Sequence, residues 1–348
     1  MIKRILYTLL IMFPVVASAQ INTDRVMAIG RNALYFEDYV LSIQYFNQVI
    51  NAKPYLSDPY FYRGLAKINL DDFQGAESDC SEAIERNPFV VSAYQVRGLA
   101  RIQQNNFAGA IEDYTKALEF DPENIGVWHN MALCRIRQED YKGAKNDLDK
   151  LIAISPRYTK AYLMRGEVDL KQKDTLAAEK DFGKAIEIDR YDADTWASRA
   201  ILRLQQQRYK DAEADFDHAI RLSTRNSGVY INRALARYHQ NNLRGAMSDY
   251  DIALDIDPNN FIGHYNRGLL RAQVGDDNRA IQDFNFVIEM EPDNMMAIFN
   301  RGLLLDQTGD YKGAIKDYST VINEYPNFLL GYQYRAQARR KIGGCERC

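Results

Sequence analysis

Seven of the nine prolines, Pro54, Pro88, Pro122, Pro156, Pro258, Pro292 and Pro326, are separated by multiples of 34 residues. Arg190 and Thr224 fill the two places that the series skips. A fixed period of this length means one small structural unit used many times, each copy burying its apolar face against its neighbours. That replaces the two or three independent domains that 348 residues would otherwise suggest. With 46% hydrophobic and 26% charged residues, the chain can build such a core and is not a disordered polyelectrolyte.

Setting the proline at position 32 makes units begin at residues 23, 57, 91, 125, 159, 193, 227, 261, 295 and 329. Position 8 is then Gly30, Gly64, Gly98, Gly166, Gly268 and Gly302, with alanine in the other repeats. Position 20 is alanine from Ala76 to Ala314, and Ser42 in the first repeat. Position 24 is large and mostly aromatic: Phe46, Tyr114, Phe182, Phe216, Tyr250, Phe284 and Tyr318, with Cys80 and Leu148 as exceptions. Position 27 is alanine, valine or leucine throughout.

A glycine inside a helix costs about 1 kcal/mol relative to alanine. Its recurrence at position 8 therefore marks a close crossing of two helices. Small residues at 20 and 27 around a large one at 24 form an i, i+4, i+7 stripe on a second helix. The residue before proline disfavours helix, so positions 31–32 close that second helix. Each unit is predicted to be a helix–turn–helix hairpin. Repeats 5 and 6 lack the closing proline, and Thr175 replaces an aromatic at position 17. The segment from Asp169 to Glu179 is therefore expected to be the irregular turn of the array.

This pattern resembles the tetratricopeptide repeat family, from Thr23 to about Gly343. The resemblance implies an all-α, right-handed superhelical solenoid of nine full 34-residue repeats and a tenth half repeat. It also implies a protein-binding module without enzymatic activity or cofactor. The expected domains are a signal peptide at 1–19, the solenoid at 20–344 and an irregular tail at 345–348.

Position 7 is arginine in eight repeats and position 23 is aspartate in eight. The two helices of a hairpin could bring them together, giving Arg63–Asp79, Arg97–Asp113, Arg165–Asp181, Arg199–Asp215, Arg233–Asp249, Arg267–Asp283 and Arg301–Asp317. Repeat 4 breaks the series with Met131 opposite Asp147. Since each arginine has its own acid, these pairs are expected to fix hairpin register rather than to bind anions.

The four histidines form no close metal-binding spacing, and no nucleophile, phosphate-loop or dinucleotide motif occurs. Neither metal, cofactor nor enzymatic activity is expected. A formal net charge of −3 without a basic block gives no drive toward nucleic acid. Cys80 and Cys134 are expected to be buried and unpaired.

In the family, the first helix of each repeat lines the concave wall, the usual binding surface of a solenoid. Carried onto this sequence, the candidates at positions 5 and 9 are Phe61, Leu65, Gln95, His129, Tyr265, Phe299 and Leu303. Position 6 adds Asn130, Asn232, Asn266 and Asn300. Aromatics beside regularly spaced carboxamides suit an extended peptide. Position 2 changes from Asp24, Asp58 and Asp194 to Ile262, Met296 and Leu330 in the last three repeats, so apolar contact should concentrate there. The family's chaperone-tail clamp needs lysine at position 5 and arginine at 6, and this chain has neither. The expected partner is a protein or peptide.

The ends carry different information. "MIKRILYTLLIMFPVVASAQ" has a positive start, an apolar run of 12 residues from Ile5 to Val16, and Ala17 and Ala19 at the positions a signal peptidase reads. Cleavage after Ala19 would leave no membrane span and would move the formal net charge from −3 to −5 with the loss of Lys3 and Arg4. The expected location is the periplasm of a Gram-negative bacterium, or the exterior. At the other end, "GGCERC" stands where the turn and second helix of repeat 10 should begin. Cys345 and Cys348 supply two of the four ligands of a structural zinc, and no redox-type βαβ context surrounds them. This end is expected to be a broken repeat, as in a shortened reading of a longer gene.

Overall fold

The structure, a computed structural model, describes residues 22–223 and 225–345. The signal peptide, Thr224 and Cys348 therefore lie outside the described residues. The chain divides into two compact blocks, Met1–Pro156 and Arg157–Cys348.

The first block holds four hairpins. They are α1 (Thr23–Tyr35) with α2 (Tyr39–Ala52), α3 (Asp58–Ile68) with α4 (Phe73–Arg86), α5 (Val91–Gln103) with α6 (Phe107–Phe120), and α7 (Ile125–Arg137) with α8 (Tyr141–Ile154). The second block continues the scheme. It contains α9 (Thr159–Lys171), α10 (Thr175–Ile188), α11 (Ala193–Gln205), α12 (Tyr209–Leu222), α13 (Ser227–His239) and α14 (Leu243–Ile256). These are followed by α15 (Phe261–Gln273), α16 (Asp277–Met290), α17 (Met295–Gln307), α18 (Tyr311–Glu324) and α19 (Leu329–Cys345). The fold is an all-α repeat solenoid, with no strand among the described residues.

Every second helix ends at position 30, whether or not a proline follows. Ile188 and Leu222 end α10 and α12 just as Phe120 ends α6. Proline at 32 marks the boundary without being required for it. The turn between the two helices is equally regular. Position 15 takes a left-handed backbone in all nine hairpins, from Glu37 (φ 63°) to Gly309 (φ 90°). In eight of them the N–H of position 16 bonds back to the carbonyl of position 11 at 2.8–3.0 Å, which closes the first helix as a Schellman turn. The residue at 16 then caps the second helix. Asp38, Asp72, Asn106, Asp140, Asp174, Asn242 and Asp310 each accept the N–H of position 19 at 2.9–3.1 Å.

Two sequence expectations are corrected. The turn from Asp169 to Glu179 is not irregular: Lys173 has φ 64°, and Asp174 caps Ala177 at 3.1 Å like its equivalents. The Schellman bond and the cap set that geometry, and the aromatic at position 17 does not enter it. The tenth repeat does not begin its turn at Gly343, because α19 runs on through Cys345. Gly343, at position 15 of this repeat, therefore lies within a helix and not in the left-handed backbone that ends the other first helices.

The core follows the stripe. Position 24 is fully or almost fully buried in both blocks, as are the alanines at position 20. Burying a side chain such as Phe182 or Phe284 stabilises by about 1.5–3 kcal/mol. Position 8 faces this ring within the same hairpin. A Cβ on Gly98 would stand 2.7 Å from the Tyr114 ring, and one on Gly166 would stand 2.6 Å from Phe182. Cys80 and Cys134 are buried free thiols, and burial pushes them up to about 12 and about 11 respectively. They are packing residues rather than reactive ones.

Candidate functional site

All seven arginine–aspartate pairs are hydrogen-bonded ion pairs. Arginine Nε and Nη2 grip the two carboxylate oxygens in a fork, as in Arg199 to Asp215 at 2.8 and 2.9 Å, or Arg301 to Asp317 at 2.8 and 2.6 Å. The same fork joins Arg63–Asp79, Arg97–Asp113, Arg165–Asp181, Arg233–Asp249 and Arg267–Asp283. Each acid is buried and each arginine is half-buried. An aromatic at position 4 lies beneath most of these guanidinium groups, for example Trp196 at 5.1 Å from Arg199.

Three further features extend the pairs, and sequence reasoning missed them. The third arginine nitrogen, Nη1, reaches position 25 of the preceding repeat. Arg63 meets Asn47 at 2.6 Å, Arg97 meets Ser81 at 3.1 Å, Arg233 meets Asp217 at 2.7 Å, Arg267 meets Asp251 at 2.8 Å and Arg301 meets Asn285 at 2.9 Å. A second cation at position 11 joins the same aspartate, as with Arg101 on Asp113 at 3.0 Å and Arg237 on Asp249 at 2.9 Å. This position-11 arginine also bridges back to an acid at position 21 of the preceding repeat, Glu77 for Arg101 and Glu213 for Arg237. Burial pushes the Glu77 carboxyl up, but hydrogen bonds from Arg101 and Gln104 outweigh it and hold the group below the usual carboxylate range. The signal was present as recurring arginine at 11 and short polar residues at 25, but it spans two repeats and is invisible inside one.

Repeat 5 lacks the position-25 partner. Gly183 stands there, and a Cβ on it would lie 4.0 Å from Arg199 Nη1, with no other contact. Gly183→Asp is expected to raise stability by about 1 kcal/mol, through helix propensity and a half-buried ion pair. A urea midpoint that stays level or falls would show that Arg199 does not turn toward the new carboxylate.

The surface candidates divide into groups. Phe61, Leu65, Gln95, His129, Asn130, Asn232, Tyr265, Asn266, Asn300 and Leu303 are half-buried on the first helices of their repeats. Phe61 and Leu65 pack on the cluster around Tyr60 and Cys80. Asn300 Nδ2 donates to the Tyr265 hydroxyl at 3.1 Å, which ties two successive repeats together. Phe299 is a correction. It is buried, with its ring 5.0 Å from Phe328 and 5.8 Å from Tyr334. Repeats 9 and 10 bury it between them, so it belongs to the core and not to a free surface. The position-2 residues of the last three repeats are exposed and apolar: Ile262 at 51%, Met296 at 59% and Leu330 at 49%. Beside Met296 opens a hollow of about 430 Å³ lined by Met295, Phe299, Val321, Tyr325 and Phe328.

Among the described residues, no group of three or more His, Cys, Asp or Glu side chains is placed to hold a metal ion. No described helix is long and apolar enough to cross a membrane.

Comparison with known proteins follows the same register. Models described as tetratricopeptide repeat match residues 125–158, 159–192, 198–261 and 265–327, and one described as TPR repeat matches residues 98–134. The matches at 125–158 and 159–192 coincide with hairpins α7–α8 and α9–α10. The chain is a tetratricopeptide repeat protein. Solved structures of this fold agree. A tetratricopeptide repeat protein from Parabacteroides merdae is 21% identical, with a TM-score of 0.55 over 72% of this chain and 98% of its own. The C-terminal part of a TPR repeat-containing protein from Cytophaga hutchinsonii is 17% identical, with a TM-score of 0.57 over 68% of this chain and 97% of its own. At such identities the likeness of this tetratricopeptide protein to them is one of fold. No curated protein matches its sequence.

Proposed function

We propose that this tetratricopeptide protein is a non-enzymatic scaffold that holds an apolar segment of a partner protein on the first helices of repeats 8 to 10. The observation that carries this reading is the row Ile262, Met296 and Leu330. Three large apolar side chains, each about half exposed, recur at one repeat position beside an apolar hollow. Isolated exposed apolar residues are ordinary, whereas an ordered row marks an interaction surface. Half-buried Asn266 and Asn300 stand next to the row on the same helices and can bond a partner's backbone. In the family's geometry this is the concave wall. The leader-like N-terminus supports action in the periplasm or outside the cell.

The test is capture of partners from cell-envelope extract with the chain beginning at Gln20, compared with an Ile262→Asp, Met296→Asp double variant. Both sites are exposed, so the variant should keep its helical circular dichroism. One stoichiometric folded partner, bound at least about tenfold more weakly by the variant, is the expected result. Equal capture by the variant would move the site elsewhere. A mixture of many unfolded clients would point instead to a chaperone-like holder.

A further inference from the structure

Repeat 4 is the one full repeat after the first without an arginine at position 7, and the structure shows what its absence leaves. Asp147 is 3% exposed. Its Oδ1 accepts from Arg135 Nη1 at 3.2 Å, while its Oδ2 is buried with no hydrogen-bond partner. In the other repeats the position-7 fork holds both oxygens. Met131 follows the missing arginine's path here. Its Sδ lies 4.0 Å from the hydroxyl of Thr115, at position 25 of the preceding repeat, where arginine Nη1 binds elsewhere. Next to it opens a groove of about 600 Å³ lined by Trp128, Met131, Arg135, Asp147, Lys150 and Glu119, among others. Trp128 is fixed by its Nε1, which donates to the Pro122 carbonyl at 2.8 Å, and its face already carries Lys150 Nζ at 4.7 Å from the ring centroid. The groove therefore has an unpaired buried carboxylate oxygen, an aromatic wall that accepts cations, and a flexible thioether that can swing aside.

We infer that this groove binds a guanidinium group, which docks on Asp147 in the seat that the chain's own arginine fills in the other repeats. The guanidinium is the chemistry the seat is shaped for, since seven forks of the same fold show it in place. Ammonium groups satisfy the site less well, because a point charge cannot donate to Asp147 Oδ2 and the Thr115 hydroxyl in one plane. The group could belong to a free small molecule or to an arginine side chain of a partner. This inference concerns other residues than the apolar row of repeats 8 to 10 and does not depend on it.

Titration calorimetry with agmatine, with an acetylated and amidated arginine tripeptide, and with n-butylamine as the ammonium control tests it. Agmatine or the peptide should bind saturably with a Kd on the order of millimolar or tighter, and n-butylamine about tenfold more weakly. The tighter of the two guanidinium probes identifies the source, free ligand or peptide side chain. Met131→Arg should fill the seat from within and abolish binding. Asp147→Asn, of equal size and without a charge, should weaken binding about tenfold or more even if Met131→Arg fails to fold. The absence of saturable binding by both guanidinium probes would overturn the inference. So would equal affinity in Asp147→Asn, or an unchanged affinity in a folded Met131→Arg.

Discussion

Arg233→Met is expected to lower the stability of this protein by about 3–5 kcal/mol at neutral pH. The arginine donates to both oxygens of Asp249, at 3.0 and 2.6 Å, and to Asp217 of the preceding repeat at 2.7 Å. Asp249 has a side chain only 1% exposed. Once the fork is removed, Arg237 remains as its sole charged partner among the described residues. A buried carboxylate left half-paired keeps most of its desolvation cost, and that cost is the expected loss. Urea denaturation followed by circular dichroism measures it. The double variant Arg233→Met, Asp249→Leu should recover most of the deficit, because no buried carboxylate is then left unpaired, while Arg237 keeps Glu213 at 2.7 Å. A loss below about 1 kcal/mol in the single variant would show that the pairs serve register without contributing to stability.

The second large effect lies in repeat 4, where that half-paired state occurs naturally. Burial pushes the Asp147 carboxyl up to about 6, against the opposing pull of Arg135 and Lys150. A folded-state value above the unfolded one means that the folded chain holds this proton more tightly. The group's contribution is therefore favourable below the ordinary carboxylate range and is lost as pH rises through about 6. Above that pH, the charged and buried Asp147 costs on the order of 3 kcal/mol. Asp147→Asn removes the titration. The variant is expected to match the parent near pH 4 and to be the more stable by up to that amount at pH 8, less what the Arg135 hydrogen bond contributes. Urea midpoints of both proteins from pH 4.5 to 8 would show a widening gap. Parallel curves would mean that Asp147 is solvated in solution.

Much of this architecture was legible because repetition amplifies weak signals. One glycine in a helix says little, but six at one position named the surface that packs on Phe46, Tyr114 and Phe182. Arg and Asp held 16 residues apart in seven repeats sufficed to pair them without coordinates. What escaped depends on two repeats at once. The reach of Arg97 to Ser81, or of Arg101 to Glu77, crosses a repeat boundary. The burial of Phe299 depends on Phe328 and Tyr334, so its own position in the repeat could not announce it. The left-handed residue at position 15 escaped for another reason. Only Gly275 and Gly309 carry the usual mark, while Glu37, Asp71, Lys173 and their equivalents adopt the same backbone because the Schellman bond beside them holds it.

The two-sided grip of the position-7 arginine bears on how such an array loses structure. In a one-dimensional stack, the border between ordered and melted repeats settles where the link between neighbours is weakest. Arg63, Arg97, Arg233, Arg267 and Arg301 each add a bond across such a link, so a border placed there exposes a charged partner as well as apolar surface. Among the described residues, the link between repeats 3 and 4 has neither this bond, since Met131 has no guanidinium, nor the position-11 bridge, since Ile111 stands at position 21. Between repeats 5 and 6 Gly183 has no side chain to receive the first, but Arg203 still bridges to Glu179 at 3.0 Å. Partly melted chains should gather their borders at the link between repeats 3 and 4. Amide protons on either side would then exchange with solvent in separate steps, so that an array of like parts opens in segments rather than all at once.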